Sequence, residues 1–422
     1  MVSTLIRGVA ALALFIGLSR PASATEPAAT DVVKHYVALA EASYQEAYAG
    51  AKALQKAVDA FLAKPSEVTL AAARAAWIAA RPSYLQTEAF RFTNPVVDEW
   101  EGKVNSWPLD EGLIDYVDGP SDGSENPLAN ANVVASKSVQ VVGKAIDVVN
   151  IDADLLERLQ EAGGIKSNVA TGYHAVEFLL WGQDLHGTEP GAGERPYTDY
   201  DLQHCSHGNC ERRATYLKVA TNLLVKDLAW IVAQWQPDGA ASRHIQSLPP
   251  AEAVVAIFSG LASLSYGELA GERTKLALLL HDPEEEHDCF SDNTHNSHYY
   301  DALGIENVYL GRLKRADGTI LQGPSVSDLV RARAKATDDD VRKAVALTVA
   351  RMKVMVDKAR TGATFDTLIA EGNTEGNRIV QSAIDALIAQ TSAFRRAAVA
   401  LNIKQLKVQD SDSLSNPGKV GK

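Results

Sequence analysis

Apolar positions recur along most of the chain with a helical period and almost nowhere in strict alternation. Val37, Tyr44, Ala51 and Val58 repeat every seven residues, joined by Leu54 and Phe61, before Lys64-Pro65 ends the run. A helix is predicted there, with Asp31 as its cap. A second, alanine-rich helix is expected through Trp77 towards Phe90. Pro82 should kink or break it, because proline removes one backbone bond and crowds the preceding turn. Helices are also expected at 130–149, at 154–162 and from Arg213 to Trp235, where Leu217, Leu224, Leu228 and Ile231 are in phase and Pro237 is the stop. The next should run from a Ser247 cap, with Pro249 and Pro250 in its first turn, to about Leu280. Its stretch from Ser259 to Gly271 is crowded with small residues, which predicts close helix approach or local irregularity. The last helices fall near 327–336, 337–360 and 374–401.

Two segments, 94–126 and 281–321, lack a sustained period and read as long irregular excursions. A shorter Gly- and Pro-rich loop covers 187–207. The tail from Lys404, rich in Ser, Asp, Lys and Gly, reads as disordered. The expected fold is therefore all-α, with two helical-bundle domains, 25–210 and 211–403, and a tail at 404–422. Each half shows a helix pair, an acidic excursion and further helices, so a duplicated four-helix-bundle-like unit is one reading.

Residues 1–24 have the marks of a secretory signal: Arg7, an apolar run from Gly8 to Leu18, and Ala22-Ser-Ala24 before a cut at Thr25. No later stretch reads as a membrane span. An exported, soluble, periplasmic protein is expected. Its formal charge of −12 argues against nucleic acid as a partner. The three cysteines would meet an oxidising compartment. Cys205 and Cys210 are expected to pair, since their short separation keeps loop closure local and Gly208 helps the turn. His204 and His207 around them mimic a zinc knuckle, but the second close-spaced pair of such a site is missing.

The densest candidate chemistry lies in Thr171-Gly-Tyr-His-Ala-Val-Glu-Phe-Leu-Leu-Trp181. His174 and Glu177, three apart, share a helix face and can converge on one ion, share a proton, or bond each other. Ser167 or Asn168 is the expected cap of this helix and Gly182 its end. Gly172 and Ala175 leave room beside the histidine. Upstream, Arg81, Tyr84, Glu88 and Arg91 form a polar stripe that by itself reads as a solvated face with ion pairs.

The string Gly172-Tyr-His174-Ala-Val-Glu177 resembles the Gly-x-His-x-x-Glu signature of the imelysin family of exported bacterial proteins. Arg81-Pro-Ser-Tyr84 to Arg91, Trp107-Pro-Leu-Asp110-Glu111 to Asp115-Tyr, and Glu285-Glu-His287 to His295 also look like family blocks. The last resembles the iron-regulated imelysin-like subgroup. The resemblance implies two helical bundles and a place in iron uptake or homeostasis, and a ligand set drawn from such distant segments would put the site where the bundles meet. His174 and Glu177 are the candidate metal ligands, with Glu88, Asp110, Glu111, His287 and His295 as further donors. Gly172, Tyr173, Trp181, Arg81, Tyr84, Arg91, Trp107, Asp115 and Asp292 are the candidate pocket residues. The expected ligand is a divalent metal, iron first and zinc as the alternative, or a small iron-containing ligand, with an outer-membrane or periplasmic iron-uptake protein as partner.

Two other readings compete. A zinc peptidase would need His-Glu-x-x-His or His-x-x-Glu-His, and Phe178 stands where the second histidine of the reversed motif belongs. A non-catalytic haem- or partner-binding module could use the His and Tyr side chains near the signature; haem would show an intense visible absorbance.

Overall fold

The computed structural model describes residues 26–119, 123 and 126–420. The expected signal peptide lies outside the described residues. The first helix, Ala29–Ala63, buries the whole seven-residue repeat, with Leu54 and Phe61 in the same face. Ala28 rather than Asp31 is its N-cap; Asp31 sits in the first turn, where a carboxylate suits the positive helix end. Ser66 caps the second helix, Glu67–Leu85, by accepting from Thr69 N at 3.3 Å. Pro82 is tolerated inside that helix, within its last turn, and a single turn at Glu88–Phe90 follows.

These two helices pack with each other and with the signature helix, Gly172–Trp181, and Cys210–Trp235. A second bundle comprises the long helix from Pro250 to Leu280, Thr294–Leu310, Lys335–Ala359 and Thr374–Ala400. The helix Cys210–Trp235, placed in the second half by the sequence, packs on the first and signature helices instead. One apolar core runs through the first bundle into the second, and a smaller one gathers Met352, Met355, Phe365 and Leu387. The chain is nearly all-α.

Several expectations need correction. The helix predicted at 130–149 is a hairpin, Ser138–Val141 paired antiparallel with Lys144–Asp147. Valines suit its pleat, and Val142 and Gly143 turn it with φ of 48° and 73°, as a tight hairpin requires. The excursion 281–321 contains a full helix, Thr294–Leu310, and a second small hairpin, Arg312–Lys314 with Ile320–Gln322. That helix is buried on nearly every side, so His298 and Asp301 are as enclosed as Ile305 and no amphipathic period marks it.

Ser247 ends a separate helix, Ala240–Ser247, and Pro249 precedes the next, which has Pro250 at its start. The small-residue stretch does carry an irregularity: the helix widens to a π-helix over Leu264–Lys275. By length and composition Pro250–Leu280 could cross a membrane, contrary to the sequence expectation, but 78% of its apolar window is buried inside the protein.

The tail after Lys404 is ordered and lies along this helix. Lys407 N donates to Ser259 Oγ at 3.2 Å, Gln409 N to Ser263 Oγ at 3.0 Å, and Ser413 Oγ to the Gly271 carbonyl at 2.9 Å. A side chain at Gly267 would stand 2.6 Å from the Gln409 carbonyl oxygen. The glycines and serines are there to receive a polar strand, which composition alone could not reveal.

Candidate functional site

The site begins with a backbone contact. Gly172 opens the signature helix at φ +86°, a left-handed conformation, and a Cβ there would lie 2.5 Å from the Val104 carbonyl oxygen. That closeness lets Tyr173 N donate to Val104 O at 2.7 Å, while Thr171 Oγ1 donates to Lys103 O at 2.9 Å. Thr171, rather than Ser167 or Asn168, is the N-cap. Gly172→Ala should therefore destabilise the fold by about 1–3 kcal/mol or more, since strain and clash coincide. Urea unfolding would measure it; an unchanged midpoint would show that the 103–104 backbone yields freely.

All ten residues of the signature helix are buried. His174 Nδ1 lies 3.0 Å from Glu177 Oε2, and Glu177 Oε1 accepts from both the amide and the hydroxyl of Ser291, at 3.0 and 2.6 Å. His174 Nε2 is buried without a partner. From the segment before Thr294, His287 and Asp288 reach the same place. The His287 ring stands 4.9 Å from that of His174, and one donor atom from each of His174, His287 and Asp288 lies within 4.8 Å of the others. The second histidine missing from the signature thus arrives from a segment 113 positions later (287 − 174).

Arg81 organises the centre. Its Nη2 donates to Asp288 Oδ1 at 2.6 Å, its Nη1 to Asn105 Oδ1 at 2.8 Å, and Tyr173, Trp77 and Tyr84 surround the guanidinium. Asn293 Nδ2 and Ser297 Oγ also donate to Asp288. Asn105 Nδ2 donates to Glu101, which fixes the amide so that His287 faces donors on both ring nitrogens, Arg81 at 3.5 Å and Asn105 at 3.4 Å. A neutral imidazole can accept at only one of them.

Burial and then the Arg81 charge push His174 down to about 3, and burial, Arg273 and His174 hold His287 well below the usual range. Burial opposes ionisation of Asp288, but Arg81 and His174 outweigh it and hold the carboxyl at about 2. Burial, and then repulsion from Asp288, drives Glu177 the other way, well above the usual carboxylate range. At neutral pH both imidazoles are in the uncharged, ligating form.

A cavity of about 360 Å³ opens beside this centre, with His287, Asn105 and Trp107 in its wall. Asp98, Glu99, Glu101, Glu161 and Glu268 line it, against Arg91, Lys166 and Arg273. It is an acidic approach to a histidine.

The chain matches the family model described as Imelysin over residues 40–394. It belongs to the imelysin family. It is 25% identical over 288 residues to iron-regulated protein A of Synechococcus elongatus, an alignment covering 65% of this chain and 62% of that one. The chain thus spans less than two thirds of that curated relative. The fold matches a structure described as an iron-regulated protein A precursor from Parabacteroides distasonis, with a TM-score of 0.63, 18% identity, and 90% and 97% of the two chains covered. It also matches an imelysin-like protein from Psychrobacter arcticum, with a TM-score of 0.56, 13% identity, and 90% and 98% coverage.

Of the residues singled out from the imelysin blocks, the structure gathers His174, Glu177, His287, Arg81, Tyr173 and Trp107 at one centre. Tyr84 donates to Glu88 at 2.9 Å, and Glu88 in turn takes Arg273 at 2.7 Å, so Glu88 is bound in an ion pair beside the centre. Arg91 faces Glu88, Asp98, Glu101 and Glu268 in the cavity wall. The stripe read from sequence as a solvated face is buried or half-buried.

Other candidates lie apart from this cluster. Asp110 accepts from Ser167 Oγ at 2.7 Å and from Asn126, which clasps the loop behind the signature. Glu111 is pushed up to about 7 by burial and then by Glu284. Asp115 is buried with Arg195 and Arg213. Trp181 packs under Arg74. His295 Nε2 meets Asn296 Nδ2 at 3.1 Å, and its Nδ1 and Asp292 Oδ1 are buried without a hydrogen-bond partner. Cys205 and Cys210 are disulfide-bonded, Cys289 is free, and His204 and His207 pair with Asp201 and Asp199. Asn105 and Ser291 carried no local signal, and Asp288 was visible only as one acid in the 285–295 block.

Proposed function

We propose that the protein is an exported iron-handling member of the imelysin family that binds a divalent metal ion, iron first and zinc as the alternative, where the two bundles meet. The observation that supports this is the buried group of His174, His287 and Asp288, with His174 Nε2 unpartnered and both imidazoles uncharged. Glu177 serves there as the carboxylate that orients the His174 ring, a common partner of a ligating histidine, rather than as a ligand. The acidic cavity supplies a path for a cation to His287. The Synechococcus and Parabacteroides relatives carry iron-regulated names, and the latter is called a precursor, which fits export.

A peptidase is less well served by this geometry. Glu177 has both oxygens engaged, by His174 and by Ser291, and is not free to act as a general base.

The test is metal titration of wild type and of His174→Ala. Outer partners of metal ligands typically contribute about 10–100-fold, so loss of a ligand should weaken binding by roughly tenfold or more. Metal should raise the wild-type melting temperature and not that of the variant. Equal affinity in both proteins would overturn the reading.

A further inference from the structure

His287 has different neighbours at its two ring nitrogens. On the Nδ1 side stands a carboxylate, with Asp288 Oδ1 at 3.7 Å. Arg81 Nη2 is also there, 3.5 Å from Nδ1, but its short bond, at 2.6 Å, goes to that same oxygen. On the Nε2 side the neighbour is Asn105, whose Nδ2 lies 3.4 Å away. A proton on Nδ1 thus faces an acceptor, while a proton on Nε2 would face another donor.

Asn105 cannot reverse its amide to relieve that opposition. Its Oδ1 takes Arg81 Nη1 at 2.8 Å, and a guanidinium has only donors to offer. Its Nδ2 also donates to Glu101 Oε1 at 3.2 Å. Burial pushes Glu101 up to about 7, so Arg81 is the partner that holds the amide whether or not Glu101 is protonated. Asn105 is 2% exposed, so a donor set against a donor at Arg81 would be a buried, unrelieved mismatch. The backbone is fixed as well. Asn105 N donates to the Glu101 carbonyl at 3.0 Å, and the preceding Val104 carbonyl takes Tyr173 N at 2.7 Å. Asn105 is therefore tied to the start of the helix that carries His174.

We infer that Asn105 is a positioning residue for His287: it selects the tautomer with the proton on Nδ1 and leaves Nε2 as the nitrogen that meets a metal. The tautomer follows from the hydrogen bonds; the use of Nε2 rests on the metal centre proposed above. His174 has the same layout, with Glu177 Oε2 at 3.0 Å from its Nδ1 and no partner at Nε2. Both rings then present a bare Nε2 while a carboxylate stands at Nδ1, the arrangement that fixes the free nitrogen of a ligating histidine. At 3.4 Å the Asn105 contact is long for a hydrogen bond, so an arriving ion gives up little by displacing it.

Two-bond proton–nitrogen NMR correlation spectra of the metal-free full chain test the tautomer, with the His287 ring assigned by its loss in His287→Gln. Wild type should show Nδ1 as the protonated, pyrrole-type nitrogen and Nε2 as the bare, pyridine-type one. Asn105→Asp sets an acceptor opposite Nε2 and should exchange the two types. If that variant does not fold, Asn105→Leu, which removes the donor, should draw both resonances towards the averaged position of mixed tautomers. A wild-type ring protonated on Nε2 overturns the inference. So does a wild-type pattern that survives unchanged in whichever variant folds, since Asp288 alone would then set it. Zinc, a diamagnetic probe, tests the ligand role: on titration the His287 Nε2 resonance should shift while Nδ1 stays pyrrole-type. Zinc bound at Nδ1 instead overturns the inference. If zinc moves neither His287 nor His174 while the tautomer and its exchange are as expected, the metal centre falls and the hold of Asn105 on His287 stands.

Discussion

Arg81→Met should destabilise the metal-free protein by about 3–5 kcal/mol, the usual cost of stripping one partner from a buried ion pair. Arg81 and Asp288 are both fully buried, and Nη2 meets Oδ1 at 2.6 Å. With the guanidinium gone, Asp288 keeps Asn293 and Ser297 but loses its countercharge, and Asn105 Oδ1 loses the Arg81 Nη1 donor. Removing the pair costs less than breaking it: Arg81→Met with Asp288→Asn should recover a substantial part of the loss, because no uncompensated charge remains. Urea unfolding of the four proteins in a double-mutant cycle measures this. Additive losses in the double variant would show that Arg81 acts through its packing on Tyr173, Trp77 and Tyr84, not through Asp288.

That pair also shows where sequence reading stops. His174 and Glu177 were legible because three residues on a helix always share a face, and the structure bonds them at 3.0 Å. Arg81 and Asp288 are 207 positions apart, and neither has a local pattern that names the other. A stripe such as Arg81, Tyr84 and Glu88 looks solvated when its partners are unknown, and it proved to be a buried face lined by Asp288 and Arg273. Long amphipathic helices were readable for the opposite reason: one face packs and the other meets water, as in Ala29–Ala63 and Cys210–Trp235. Thr294–Leu310 has no wet face, so its histidines and acids broke the period and hid the helix. The tail failed similarly. Its partners are serines and glycines of another helix, and a polar strand bonded to polar side chains has the composition of a disordered one.

Asp115→Asn should be comparably severe, at about 3–5 kcal/mol, because it leaves charge of the opposite sign uncompensated. Asp115 is 1% exposed; its Oδ2 takes Arg195 Nη1 at 2.7 Å, and Arg213 Nη2 donates to its Oδ1 at 3.0 Å. Arg195 would retain Asp199 at 3.1 Å, but Arg213 would be left with the carbonyls of Asp199 and Gly208 as its oxygen partners. This network holds the Tyr116 and Cys205–Cys210 region against the start of Cys210–Trp235 and includes none of His174, His287 and Asp288, so metal should not rescue it. The pH dependence has a definite sign. Burial opposes the charge on Asp115, but Arg195 and Arg213 win and hold its carboxyl below the usual value. A depressed folded-state value gives stability that is fully present above the unfolded value of about 4 and is lost as pH falls through the folded one. Wild type should therefore lose this contribution in acid, below about pH 4, while Asp115→Asn has nothing to lose there and its deficit should shrink. Urea midpoints at neutral pH and through the acid range, for both proteins, check it. A deficit that stays constant on acidification would mean that the carboxylate charge is not what holds the two arginines.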